Sequence, residues 1–404
     1  MNRYRLLFSI ILLLFLSPCL RAGEWQWSVT LDGFVSNETN RNPTAFLWIP
    51  ADCMQVKAII VGQHNMSEET LFDNPLFREK MQKLGIGFVW ITPGIDQQWD
   101  VSKGTQQIFE KMMFSLADVS GYSELKNVPI VPIGHSAMAT YPWNFAERTL
   151  AVISLHGDAP RTNLTGYGRE NLEWGRTRNI DGIPGLMIEG EYEWWEARVN
   201  PALAFRMMYP ESCISFLCDT GRGHFDVAEQ TADYIALFLR KALEYRLSGH
   251  SSLNEPVSLK KLNPKEGWLA ERWHPEQKNR AKAASFHDYK GDKHDAFWYF
   301  DKEMAELTEA RYVKYKDKQM QYLGFMQRGQ LVKYAAGQHA GIIAGFYPEA
   351  DGLTFHVKGV YTDSLRSLPV KEHANGKIEI TRICGPVAKV NDTTFTVRFY
   401  RMGM

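Results

Sequence analysis

Charge of one sign is missing from this sequence. Lys plus Arg and Asp plus Glu are equal at 46 each over 404 residues, and no long run of either sign occurs. A protein that neutralises nucleic-acid phosphates needs a basic surface, so nucleic acid is excluded as a partner. The apolar stretch at 6–20 is shorter than the roughly 20 residues that a bilayer-spanning helix requires. Cysteine is scarce, at five residues, and no CxxC or closely spaced His/Cys set is present. A structural zinc centre therefore has no ligand framework. Internal repeats and low-complexity tracts are also absent, and hydrophobic residues at 45% with charged residues at 23% exclude disordered and collagen-like classes.

What remains is a folded soluble chain too long for one ordinary domain, so two are expected. Arg3 and Arg5 precede the apolar stretch, and the small pair Ala22-Gly23 follows it. This pattern reads as an export signal over 1–22, cleaved near Ala22, which leaves no integral membrane span in the mature chain. Pro18 before Cys19 argues against lipid attachment. Loss of Arg3, Arg5 and Arg21 leaves 43 basic against 46 acidic groups, so the mature chain stays near neutral. Export places the protein in the periplasm, with the cell surface or the medium as the other destinations. Cys213 and Cys218 lie five positions apart in a strand-like run. Extended, that is roughly 16 Å, too far for the two to be bridged.

From about 25 to 247, short β-like runs alternate with segments of helical period. Strands are expected at 46–49, 58–61, 87–91, 129–133, 151–155, 186–188 and 214–217, and helices at 68–84, 105–120, 137–150 and 227–247. The alternation argues for a mostly parallel sheet flanked by helices, an α/β domain over 23–250. After 248–252 the character changes. A polar stretch with Trp268 and Trp273 leads to a helical reading at 294–320 and then to period-two alternation, clearest at 394–400. A smaller β-rich C-terminal domain with a helical connecting segment is expected over 251–404, its Trp-rich connection able to pack on the first domain.

The segment that carries chemistry is the apolar run 128–133 leading directly into Gly134-His135-Ser136. A strand, a sharp turn and a helix in succession would lift the serine oxygen above the sheet, and Gly134 suits a turn that brings backbone close together. Two residues after the serine, where a second glycine is usual, stands Met138, with the small Ala139 one place later. A serine hydroxyl needs a base, and the base needs an acid to hold its tautomer. Two later segments carry such residues at strand ends: Gly185 and the apolar run after it lead into Gly190-Glu191-Tyr192-Glu193, and Gly221-Arg222-Gly223-His224-Phe225 follows the run at 213–219.

In these three segments the chain resembles the α/β-hydrolase superfamily, and more narrowly the exported bacterial carbohydrate esterases of pectin methylesterase type. The likeness covers roughly 40–247. It implies an α/β-hydrolase fold and serine ester hydrolysis without metal or cofactor. Ser136 would be the nucleophile, His224 the base and Glu193 the acid, with Glu191 and Asp158 as rivals. His156 and His64 do not sit at the late position of the base, and His135 reads as a packing residue. The Ala137 backbone N–H is one expected oxyanion donor, and Gln63 or His64 would supply the second. Trp194, Trp195, Arg161, Arg198 and Arg222 would bind a plant cell-wall polysaccharide or oligosaccharide, tryptophan faces being good platforms for sugar rings. The expected ester is the methyl ester of galacturonate in pectin. An O-acetyl ester, and a carbohydrate-binding protein without catalysis, are the other readings.

Overall fold

The computed structural model describes residues 25–32, 34–36, 40–145, 147–157, 180–190, 196–219, 224–225, 229–247, 255, 257–273 and 281–314. It gives 66, 196–198, 313–314 and eight strands between 322 and 399 by backbone alone. The export segment 1–22 lies outside the described residues.

Apolar runs that leave no polar face become the centre of an eight-stranded sheet ordered β1-β2-β4-β3-β5-β6-β7-β8. β1 (Trp27–Thr30) and β2 (Thr44–Trp48) form the antiparallel edge. β3 (Ala58–Gln63), β4 (Ile86–Thr92), β5 (Ile130–His135), β6 (Val152–Leu155), β7 (Pro184–Gly190) and β8 (Cys213–Asp219) run parallel. Alternate residues of β3 divide between two cores. Ala58 and Ile60 join one hydrophobic cluster with Phe72 and Phe88, while Ile59 and Val61 join the other with Phe109 and Met112. Such two-sided burial is what a parallel sheet between helix layers requires.

The expected helix at 68–84 is two helices, α1 (Met66–Asp73) and α2 (Pro75–Leu84). Asn74 breaks them apart, because its side chain caps α2 by accepting from the Phe77 N–H and Pro75 takes the first-turn position where no donor is needed. α3 (Thr105–Ser120) matches its expectation and ends at Gly121, whose φ is 81°. The expected helix at 137–150 shrinks to a 3-10 turn over Ser136–Met138 and the short α4 (Tyr141–Asn144). Pro142 would stand in the interior of the longer helix, where it has no N–H to give and crowds the preceding turn; in α4 it takes the first turn instead, and Phe145 leaves the helix with extended backbone, φ −60° and ψ 135°.

Beyond β7 come α5 (Glu196–Met208), then β8 and α6 (Glu229–Arg246). The expected helix at 294–320 begins instead as a 3-10 turn, followed by β11 (Ala296–Tyr299), and turns helical only in α7 (Lys302–Lys314). Residues 296–299 are all buried, and a run with no polar member carries no period to tell strand from helix. β11 pairs with β9 (Trp268–Glu271), which also pairs with β10 (Ala284–Ser285). This small sheet docks on β8. Phe297 stacks on Phe216, Ser215 donates to the Trp298 carbonyl at 2.6 Å, and Tyr299 donates to the Phe216 carbonyl at 2.7 Å. One hydrophobic core thus runs across the expected boundary at 250–251.

Further along, β12 (Tyr322–Gln327), β13 (Gln330–Val332), β15 (Leu353–Lys358), β18 (Val387–Asn391) and β19 (Thr394–Phe399) form a five-stranded antiparallel sheet. β14 (Ile343–Gly345), β16 (Pro369–Glu372) and β17 (Lys377–Thr381) form a smaller one. The β-rich C-terminal region follows the period-two reading at 394–400. No described helix is long and apolar enough to cross a membrane.

Candidate functional site

At the end of β5 the backbone turns sharply, and Ser136 has a φ of 52°. A side chain in this left-handed region is disfavoured by roughly 1–2 kcal/mol, so the surroundings must hold it. Gly134 makes the turn possible: a Cβ there would lie 1.9 Å from the Met138 carbonyl oxygen. The absent second glycine is also accounted for. Close packing falls one residue later, where Ala139 meets Gly157 so tightly that a Cβ on Gly157 would stand 2.1 Å from the Ala139 Cβ. Met138 itself is buried, with its tip against Gly94.

Ser136 Oγ lies 2.8 Å from Nε2 of His224, which sits five residues beyond the end of β8. The structure therefore brings together the serine and histidine that the sequence singles out, 88 positions apart. The imidazole is placed to take the serine proton as the oxygen attacks. His156, also near the site, keeps its ring centroid 6.1 Å from that of His224. Ala137 is exposed beside the serine, in the first turn after the strand, where the turn leaves backbone N–H groups without an internal partner. An oxyanion forming on a substrate at Ser136 would meet that donor.

The β3–α1 junction forms the other wall. Gln63 is fully buried and its side chain is committed: Oε1 accepts from the Ile95 and Asp96 N–H groups at 2.6 and 3.0 Å, and Nε2 donates to the Asp96 carbonyl at 3.0 Å. The backbone N–H of His64 donates to the Ile91 carbonyl at 2.7 Å, which removes it from the donors available to an oxyanion.

Two residues that the sequence reading did not single out act here. Asn65 donates through Nδ2 to the His135 carbonyl, and Glu68 Oε1 accepts from the His135 N–H at 2.6 Å. Glu68 lies in the first turn of α1, where an acidic residue ordinarily reads as a partner of the helix dipole, so nothing in the sequence marked it. Burial pushes the Glu68 carboxyl up to about 8, against the opposing pull of the His135, Glu68 and Ser67 backbone N–H groups. Its second oxygen is buried without a hydrogen-bond partner. Behind it the Tyr141 hydroxyl lies 2.5 Å from the Val61 carbonyl and 2.9 Å from that of Ile133, joining β3 to β5. Burial drives the Tyr141 hydroxyl well above the usual phenol range.

His135, expected to be a packing residue, is fully buried, and it also makes a directed polar contact: Nε2 lies 2.7 Å from the His224 carbonyl oxygen. The acid Glu193, its rivals Glu191 and Asp158, and the expected sugar-binding residues Trp194, Trp195, Arg161 and Arg222 lie outside the described residues. Arg198 belongs to α5, with its side chain likewise outside. Trp48 and Trp90, inside strands, are core residues.

A mostly parallel sheet in the order 1-2-4-3-5-6-7-8, with a serine on the sharp turn after β5 and a histidine after β8, is the α/β-hydrolase fold. No protein-family model and no curated protein matches the sequence. Solved structures that are similar include Est1E from Butyrivibrio proteoclasticus, at 16% identity over 54% of this chain and 99% of that one, with a TM-score of 0.34. A lidless α/β serine hydrolase from Xanthomonas campestris matches at 15% identity over 54% and 93%, TM-score 0.35. A poly(3-hydroxybutyrate) depolymerase from Bordetella parapertussis matches at 11% identity over 54% and 88%, TM-score 0.38.

Proposed function

We propose that the protein is an exported serine ester hydrolase acting on plant cell-wall polysaccharide, removing methyl groups from galacturonate in pectin. The observation that carries the hydrolase reading is the 2.8 Å pairing of Ser136 Oγ with His224 Nε2 at a serine held in the left-handed region. His224 accepts the serine proton while Oγ attacks the ester carbonyl, and the carbonyl electrons move onto oxygen, which the Ala137 N–H stabilises. The tetrahedral species collapses, the alcohol leaves with the proton from His224, and an acyl-enzyme remains. Water, deprotonated by His224, repeats the attack and frees the acid. For a galacturonate methyl ester the first product is methanol.

Glu193 is assigned as the acid that orients His224, because it follows β7 in sequence as the superfamily pattern asks. The substrate assignment is supported by Trp194, Trp195, Arg161, Arg198 and Arg222, each of which follows a parallel strand in sequence. Substrates of α/β sheets bind at the carboxyl ends of the strands, and arginines there suit the carboxylates of a uronic-acid chain. Export rests on the residues at 1–22.

A fluorophosphonate probe should label the wild-type protein and not Ser136→Ala; equal labelling of both would refute the nucleophile. Methanol released from pectic polysaccharide by the purified protein supports the methyl ester, and acetate without methanol replaces it with the acetyl ester. Of Glu193→Gln, Glu191→Gln and Asp158→Asn, the first is expected to lose about 10⁴-fold in kcat, and a collapse confined to either of the others would move the acid there.

A further inference from the structure

We propose that His135 is a positioning residue that sets the distance between nucleophile and base. The inference rests on the serine-hydrolase reading above. His135 is fully buried, and its Nε2 lies 2.7 Å from the carbonyl oxygen of His224. A carbonyl only accepts, so Nε2 carries the hydrogen and donates it. The main-chain atoms of His135 are gripped too, the N–H by Glu68 Oε1 at 2.6 Å and the carbonyl by the Asn65 amide. His135 is therefore held by its backbone and itself holds the backbone of His224.

These contacts close a small ring. From Ser136 Oγ it crosses 2.8 Å to the His224 ring, passes through that residue to its carbonyl, crosses 2.7 Å to His135, and returns through one peptide bond to Ser136. His224 and Phe225 belong to no helix or strand, and a donor one residue from the nucleophile is a short tether for them. The rings of His135 and His224 are also packed, with centroids 4.8 Å apart. A residue that only filled space would be replaceable by an apolar side chain of similar volume. A tether is replaceable only by another donor of the same reach.

The test uses the full-length protein, a fluorophosphonate probe and a soluble ester. His135→Phe keeps the ring volume and removes the donor; His135→Gln keeps a donor at about the same reach. Displacing a reacting group by about 1 Å is worth ~10²-fold. His135→Phe is expected to label ~10²-fold more slowly per folded molecule and to lose kcat in proportion with KM little changed. His135→Gln should stay within about tenfold of wild type. Wild-type kcat per labelled site in His135→Phe would overturn the tether. If His135→Phe does not fold, His135→Asn, whose amide is one carbon shorter, takes its place. Asn slower than Gln upholds the proposal, and equal rates overturn it. A wild-type protein that takes no label would remove the serine-hydrolase reading itself, an outcome distinct from a labelled wild type with an unaffected variant.

Discussion

The two sides of the Ser136–His224 pair are secured by different physics. On the β5 side, polar side chains clamp main-chain groups over a few ångströms: Gln63 holds 95–96, Asn65 and Glu68 hold His135, and Tyr141 joins β3 to β5. On the β8 side the anchors come from later in the chain. Phe297 stacks on Phe216, the Cys218 N–H donates to the Tyr312 hydroxyl at 3.1 Å, and Arg311 pairs with buried Asp219 at 2.9 Å. The turn that presents Ser136 is thus fixed largely by residues that precede it in the chain, and the strand that leads to His224 by residues that follow it. Errors on the first side should reach the turn that presents Ser136 as well as stability, and errors on the second should cost stability with little effect on chemistry.

Four substitutions test that division. Gly134→Ala places a Cβ 1.9 Å from a backbone oxygen that cannot give way. A loss of at least ~4 kcal/mol is expected in urea unfolding, with no labelling of Ser136 by the probe.

Glu68→Gln comes next. The folded carboxyl is raised to about 8 from an ordinary value of 4.5, so wild-type stability is full below 4.5 and falls as pH climbs through the window to about 8. The slope approaches ~1.4 kcal/mol per pH unit, summing to roughly 5 kcal/mol. The glutamine variant has no such slope, so its stability relative to wild type should rise between pH 5 and pH 8. Parallel curves across that range would refute the buried acid.

Arg311→Met leaves Asp219 buried without its cation and is expected to destabilise by about 3 kcal/mol, with kcat per folded molecule reduced less than tenfold. A large loss of kcat at unchanged stability would erase the contrast between the two sides. The smallest effect belongs to Tyr299→Phe. It removes a single hydrogen bond to the Phe216 carbonyl, worth about 1 kcal/mol, and should leave labelling unaffected.

Much of the sheet was legible because its strands are apolar runs bounded by turns, and β3, β4 and β5 lie where those runs stand. Ser136 and His224 were legible because each follows a glycine by one or two residues, shortly after such a run. Failures came where the local pattern was ambiguous or the decisive contact was remote. Residues 68–84 carry one helical period, and only the cap made by Asn74 and Pro75 reveals two helices. Residues 137–150 carry apolar side chains at helical spacing, and Pro142 was the sign that one helix could not run through them. His135 was read as packing because its partner is a carbonyl 89 residues away. Glu68 was overlooked because burial, not position, gives it its role.

Residues within 257–273 and 281–312 share a core with β8, so they are no appendage to the sheet. A shortened gene ending near codon 250 would strip the cover from Phe216 and take the Arg311 cation from Asp219. Its product should be recovered as aggregate. Recombination could not exchange this stretch freely between proteins, and the inheritable unit that carries β8 extends at least to Tyr312.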